Sequence, residues 1–292
     1  MMRGMYSAIS GLRNHQIMLD VTANDLANVN TVGFKASRTS FSDSLAQLQR
    51  SGASATTGNA GAKSAQIGLG VQLGSIDNLM TNGAFQSTGG PYDVAITGTG
   101  WFRVSNTDPT PGATASDPAT FPSTSTTEYT RAGNFTLNDQ GELTTQDGWR
   151  VVGKGVDATT GNPTATDIVI KVPAGATDVS VGPNGAVAYT PSGGGSRATA
   201  GFLSLASFPN EAGLDRVSAN RWQGTASSGA AVTDTPGNNG LGQTVGGQLE
   251  MSNVDLATEF TNMITAQRGF EASSRVLSTA DEMLQDLVNL KR

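Results

Sequence analysis

The chain has 292 residues, 37 of them glycine and none cysteine, with 37% hydrophobic and 14% charged residues and a formal net charge of -6. That length fits one large domain or roughly two to three small ones, and the low apolar share gives a modest core with many residues in turns. Without cysteine there are no disulfides and no thiolate metal sites, and a mildly acidic chain with no basic cluster lacks what nucleic acid or an anionic membrane surface would attract.

The N-terminal residues, Met1 to Gly11, hold no apolar core long enough for a cleaved secretory signal. No stretch reaches the roughly 20 apolar residues of a membrane-spanning helix, so membrane insertion is not expected. The chain reads as cytoplasmic unless it is exported by a route without a cleaved signal. Met5, Ile9, Leu12, Gln16, Leu19, Ala23 and Leu26 alternate spacings of four and three, the heptad seam of an amphipathic helix. Asn28, Asn30 and Gly33 are good terminators, which places the helix end between them.

Short alternating or apolar runs follow, bounded by turn residues: Gly70 to Ile76, Tyr92 to Thr97, Trp101 to Val104, Asn134 to Leu137, Ile168 to Val172, Val179 to Val181, Ala186 to Tyr189 and Gly201 to Phe208. Asn138 to Gly141 and Pro183-Asn184-Gly185 separate pairs of such runs as hairpin turns would. Ser51 to Gln66, Asp108 to Thr127, Pro191 to Ser196 and Ser227 to Gly247 read as linkers or loops. The C-terminal end returns to the heptad pattern through Leu256, Phe260, Met263, Gln267, Phe270, Ser274, Leu277, Asp281, Leu284 and Val288. Ser252 or Asn253 can cap this helix, with Asp255 and Glu259 near its positive end. At about 1.5 Å per residue, Asp255 to Leu290 spans roughly 54 Å, long for a helix closing a small domain.

The candidate sites are surfaces. The two seams, Met5, Ile9, Leu12, Leu19 and Leu26 at one end and Leu256, Phe260, Met263, Phe270, Leu277 and Leu284 at the other, admit two readings. One is an antiparallel pair packed on the chain's own core; the other, favoured by the thin core and terminal placement, is packing against further copies of the chain. His15 is the only histidine, a surface or interface residue with no second ligand for a metal and no partner for a nucleophilic triad. Gly68-Leu69-Gly70 and Gly98-Thr99-Gly100 lack the helix and lysine of a phosphate loop. Asp77, Asp93, Glu128, Asp139 and Glu142 single out no acid pair. Trp101, Phe102, Phe202 and Trp222 read as core aromatics. No catalytic residue, cofactor site or metal site is assigned.

Several blocks resemble the family of bacterial flagellar axial proteins, those of the rod and hook. Gly11-Leu12 and the run from Leu19 to Lys35, carrying Asn24, Leu26, Ala27, Asn28, Thr31, Gly33 and Phe34, resembles its N-terminal signature, with Asp25 where the family usually has a second Asn. Asp93 to Phe102 and Tyr129 to Phe135 followed by Gly141-Glu142-Leu143 are similar to its internal blocks. Ser252, Asn253, Val254, Asp255 and Leu256, then Met263-Ile264, Gln267, Arg268 and Thr279 to Met283, resemble its C-terminal signature.

The resemblance implies an α+β subunit, with a β-rich centre and terminal helices that pair into an intermolecular coiled-coil layer. The expected divisions are 1–34 for the inner helix, 35–69 for an extended linker, 70–250 for the β-rich part (70–150 plus 151–228) and 251–292 for the second helix. It implies a helical homopolymer in the flagellum, neighbouring rod, hook or junction proteins as partners, help from the flagellar export apparatus and hook cap, and export without a cleaved signal peptide. The chain ends look most like short hook proteins, which makes a torque-transmitting hook the first expectation and the distal rod the alternative. A secreted β-rich surface or adhesin subunit is the competitor of another class, and a cell-wall glycosidase the enzymatic one. The isolated middle, roughly 70 to 250, is expected to fold alone.

Overall fold

The computed structural model describes residues 2–52, 54, 60–108, 120–121, 126–157, 160–192 and 195–289. Most of the Asp108 to Thr127 loop, parts of the Ser51 to Gln66 and Pro191 to Ser196 stretches and the last three residues fall outside that set. The fold is α+β, with an N-terminal helix, a β-rich body and a C-terminal helix. The chain divides into two compact units: unit 1 holds Met1–Asn28, Ala36–Leu79 and Val254–Arg292, and unit 2 holds Val29–Lys35 and Met80–Asn253.

In unit 1, helix α1 covers Met2–Ala27 and helix α2 covers Leu256–Asn289. α1 stops where Asn28 turns its N–H back to Asn24 and Asp25 and its amide to Asn24, at the start of the stretch expected to terminate it. The cap of α2 lies two residues beyond Asn253 and three beyond Ser252, the two sequence candidates. Asp255 lies just outside the first turn, where its carboxylate accepts the Ala257 N–H at 2.9 Å and the Thr258 hydroxyl at 3.1 Å, as an N-cap does. Ser252 and Asn253 instead belong to unit 2.

The stretch read from sequence as a linker carries strands. β1 (Ser37–Asp43) pairs antiparallel with β4 (Val71–Asn78), and β2 (Ala46–Arg50) pairs with β3 (Ala65–Gly68). Bonds from Ser44 N to Gly70 O and from Leu69 N to Leu45 O join the two ladders into one continuous ribbon. Its root is fixed to α1 by polar side chains. Asn14 Nδ2 donates to the Val71 carbonyl at 2.8 Å, Ser10 Oγ accepts the Val71 N–H, and Asp25 Oδ2 accepts the Ser37 N–H at 2.9 Å. Every residue of β2 and β3 is exposed, so this outer part is held by its ladder bonds and not by a buried face.

Unit 2 is built on a 13-stranded sheet with two small antiparallel pairs beside it. The strand Trp101–Ser105 is buried along its whole length, and alternation sends its side chains to two different cores. Phe102 and Val104 join Val94, Ile96, Val151, Ile170, Leu203 and Leu205 in the larger one, while Trp101 joins Tyr129, Phe208, Leu214 and Trp222 in the smaller. Trp101 meets Trp222 edge to face with centroids 5.6 Å apart. All four aromatics read as core from sequence are therefore buried. Both expected hairpins form: Leu143 pairs with Leu137 across the first turn, and Val181 with Val187 across the second, where Gly185 has a φ of 78° that suits glycine.

One carboxylate in each unit contributes to its acid response. Burial pushes the Asp167 carboxyl up, but its hydrogen bond to Arg103, the Arg103 charge and Lys154 outweigh this and hold it below the ordinary 3.8. The Ala257 N–H, then Thr258, lower Asp255 in the same way. A depressed carboxyl stabilises the fold fully above its unfolded value and loses that contribution as pH falls through the folded value. The contribution of these two groups should thus be fully present above about pH 5 and be lost as pH falls below 3.8. Circular dichroism at 222 nm across that range checks this, and Asp255→Asn should blunt the helical part of the decline.

Candidate functional site

The two helices of unit 1 pack against each other, and small residues let them approach. A Cβ on Gly11 would meet Ser273 Oγ at 3.2 Å, and one on Gly269 would meet the His15 ring at 2.4 Å. Rising numbers on α1 against falling numbers on α2 make the pair antiparallel. His15 sits in this interface, half-buried, with the Phe41 ring of β1 at its edge, 6.1 Å between centroids. Among the described residues no group of three or more His, Asp or Glu is placed to hold a metal ion.

The buried stripe of α1 is polar: Gly11, Asn14, Thr22 and Asp25 are all buried, Asp25 completely. At 100° per residue the expected seam, Met5, Ile9, Leu12, Leu19 and Leu26, lies about a third of a turn from that stripe, and those five are half-buried. On α2, Met263, Phe270, Leu277 and Leu284 are also half-buried and share a side with the buried Ala266 and Ala280. Leu256 and Phe260 are exposed, and so are Ile264 (57%), Val276 (49%), Met283 and Val288 (69%). The helix pair within one chain takes up part of the seam and leaves apolar surface on α2 uncovered.

The residues of the N- and C-terminal signatures come together in unit 2. Gly33 has a φ of 67° and donates its N–H to the Glu250 carbonyl at 2.7 Å; a Cβ there would lie 2.6 Å from the Arg131-Ala132 backbone. Thr31 accepts the Phe34 N–H, and Phe34 is buried beneath Arg216, whose guanidinium stands 4.6 Å from its ring and 4.9 Å from Trp222. Asn253 reaches Thr81 with its side-chain amide and the Phe34 carbonyl with its backbone N–H. In unit 1, Asn24 receives Asn28, Ala27 is exposed, Val254 is half-buried, and Gln267 and Arg268 are exposed, Arg268 facing Glu271 at 3.4 Å.

Beside this lies a buried charge cluster that the sequence reading did not pick out. Glu250, 0% exposed, accepts Lys35 Nζ at 2.6 Å and the Gly83 N–H at 3.0 Å on one oxygen, and Arg131 Nη1 at 3.1 Å on the other. Lys35 also donates to the Thr81 carbonyl, and Arg131 to the carbonyls of Ile96 and Gly98. Burial pulls both cations below their ordinary pKa values, and the Glu250 charge opposes it. Lys35 and Glu250 are 215 residues apart, so no local pattern announces the pair. Asp25, a departure of no evident consequence in the sequence, proves to be the anchor of the ribbon.

Comparison with known proteins follows the same geography. A family model described as "Flagella basal body rod protein" matches residues 5–35, one described as "Flagellar hook protein FlgE/F/G D1 domain" matches 120–189, and one described as "Flagellar basal body rod FlgEFG protein C-terminal" matches 245–290. The chain is 41% identical over 293 residues to the flagellar basal-body rod protein FlgG of Bacillus subtilis, covering 100% of both. It is 38% identical over 292 residues to that of Caulobacter vibrioides, covering 99% of this chain and 100% of the relative. The flagellar hook protein FlgE of Borreliella burgdorferi is 27% identical over 442 residues, 100% of each chain. Matched at both ends and in the middle, and similar over its whole length to rod proteins of two bacteria, the chain belongs to the FlgE/F/G family of flagellar rod and hook proteins.

Proposed function

We propose that this chain is a subunit of the distal flagellar rod, polymerising with copies of itself into a tube. The observation that carries the reading is end-to-end similarity, at equal length, to relatives named basal-body rod protein. The alignment to a hook protein runs over 442 residues at lower identity, which reverses the order of preference drawn from the chain ends. The family is a structural component of the flagellum and not an enzyme family, and that membership replaces the surface-subunit and glycosidase alternatives.

A subunit repeated by rotation plus rise, without closure, forms a tube through heterologous contacts. The helix pair supplies the adhesive surface, because apolar side chains left exposed on α2 gain about 25 cal/mol for each Å² covered by a neighbour. Met5, Ile9, Leu12, Leu19 and Leu26, with Leu256, Phe260, Met263, Phe270, Leu277 and Leu284, are the proposed inner layer. The ribbon β1 to β4, in which β2 and β3 pair only with each other among the described residues and so each keep an outer edge, is a second surface for a neighbouring copy. Adjoining rod, hook or junction proteins would cap the tube's ends, and the chain would reach them through the flagellar export apparatus without a cleaved signal.

Electron microscopy of basal bodies from a strain lacking the chain tests the assignment. Rods cut short, with no distal segment and no hook, are expected. Complete rods that merely lack a hook would return the chain to the hook.

A further inference from the structure

The chain enters and leaves unit 2 at Val29, Lys35, Met80 and Asn253, and one buried carboxylate is tied to all these segments. Glu250 binds Lys35 and the Gly83 N–H through its side chain and the Gly33 N–H through its carbonyl. Asn253 completes the ring through Thr81 and Phe34. The third partner, Arg131, comes from the middle of the β-body and lies over Trp101, its guanidinium 5.4 Å from the ring.

Removing Glu250 leaves Lys35 and Arg131, both 1% exposed at their side chains, as two buried cations without their ion-pair partner, opposed only by the charge of half-buried Glu211, which acts on each less strongly than Glu250 does. An uncompensated buried charge is far costlier than a missing surface pair, and two of like sign repel in a medium that screens poorly. Everything needed to pack the two cores apart from the last strands precedes residue 250, yet closure without Glu250 would bury both cations without the carboxylate they pair with.

We propose that Glu250 is a closing latch: Lys35 and Arg131 hold the β-body open until this carboxylate, delivered late in the chain, seats between them. A chain emerging N-terminus first then keeps unit 2 unfolded until nearly all of it is available. The latch is electrostatic, which separates it from an ordinary hydrogen-bonded core group and gives it a distinctive double-mutant signature.

The test uses the full chain, with near-ultraviolet circular dichroism of the buried Trp101 and Trp222 and protease resistance as readouts for unit 2, and the 222 nm helix signal for unit 1. Glu250→Gln should lose most of the near-ultraviolet signal and become protease-sensitive while keeping the helix signal. Lys35→Met alone should stay folded, since Glu250 retains Arg131. The double variant Lys35→Met/Glu250→Gln should recover much of what Glu250→Gln loses, and Lys35→Met/Arg131→Met/Glu250→Met still more. A folded, protease-resistant Glu250→Gln chain would overturn the latch. So would a double variant no better than Glu250→Gln, because packing and hydrogen-bond losses add whereas relief of repulsion reverses the sign.

Discussion

Replacing Ile264 and Val276 together by glutamate is expected to abolish self-assembly and leave the separate chain folded. Both side chains stand about half exposed or more on α2, so exchange for a charged residue should change the stability of the single chain by no more than about 0.5 kcal/mol each. In the tube the same positions would be covered. Burying a Val or Ile side chain is worth roughly 1.5–3 kcal/mol, and the glutamate replacing it would have to be desolvated without a partner. The deficit recurs at every subunit, so a modest change per contact removes the polymer. Phe270 is a poorer probe, because it lies on the side of α2 that also carries the buried Ala266 and Ala280, and a charge there would loosen the helix pair itself. Sedimentation and negative-stain microscopy under polymerising conditions report assembly, and a thermal melt reports the fold. Tubes of wild-type length from the double variant would show that these two positions stay in solvent.

What could be read from the sequence was periodic or local. The 3.6-residue rhythm gave both helices to within a residue or two at the ends that can be compared, and the Asn184-Gly185 turn gave its hairpin, because these signals come from neighbours in the chain. Of the ribbon, Gly70 to Ile76 was read as a strand-like run and forms β4, whereas β2 and β3 were missed because every residue in them is exposed, so no alternation of buried and exposed positions marks them. The polar stripe of α1 was missed for a related reason. Asn14, Thr22 and Asp25 have helical spacing, but a polar residue is read as solvent-facing unless something shows backbone groups waiting for it, here those of Val71 and Ser37. Gly33 and Phe34, placed in the first helical segment, and Lys35, placed at the start of the linker, belong to unit 2, where Phe34 and Lys35 are buried; their partners lie far along the chain, so no local pattern shows it. A fragment cut at roughly 70 to 250 therefore omits Lys35, the partner of Glu250, and the expectation that it folds alone is better posed for a chain retaining 29–35.

Gly133→Ala is expected to destabilise unit 2 by about 3 kcal/mol or more, for steric reasons alone. The position does not have the positive φ that favours glycine, so alanine meets no conformational penalty there. The obstacle is a neighbouring backbone: a Cβ would lie 1.7 Å from the Val94 carbonyl oxygen and 2.8 Å from its carbon, with the Phe102 ring 3.2 Å away. Val94 also donates its N–H to the Gly133 carbonyl at 3.0 Å, and Asp93 bridges to Asn134, so the two segments cannot separate without giving up bonds at the edge of the larger core. Overpacking of an ordinary core typically costs about 1–3 kcal/mol because side chains yield; here a main chain must yield instead. For a body of this size each kcal/mol lowers the midpoint by roughly 2–4 °C, so the near-ultraviolet melt should fall by about 10 °C. Gly4→Ala is the matched control. Its Cβ would meet nothing within 4 Å on α1, and the change should favour the helix by up to about 1 kcal/mol. If Gly133→Ala melts with the wild type, the close passage of these two segments is not a feature of the folded protein.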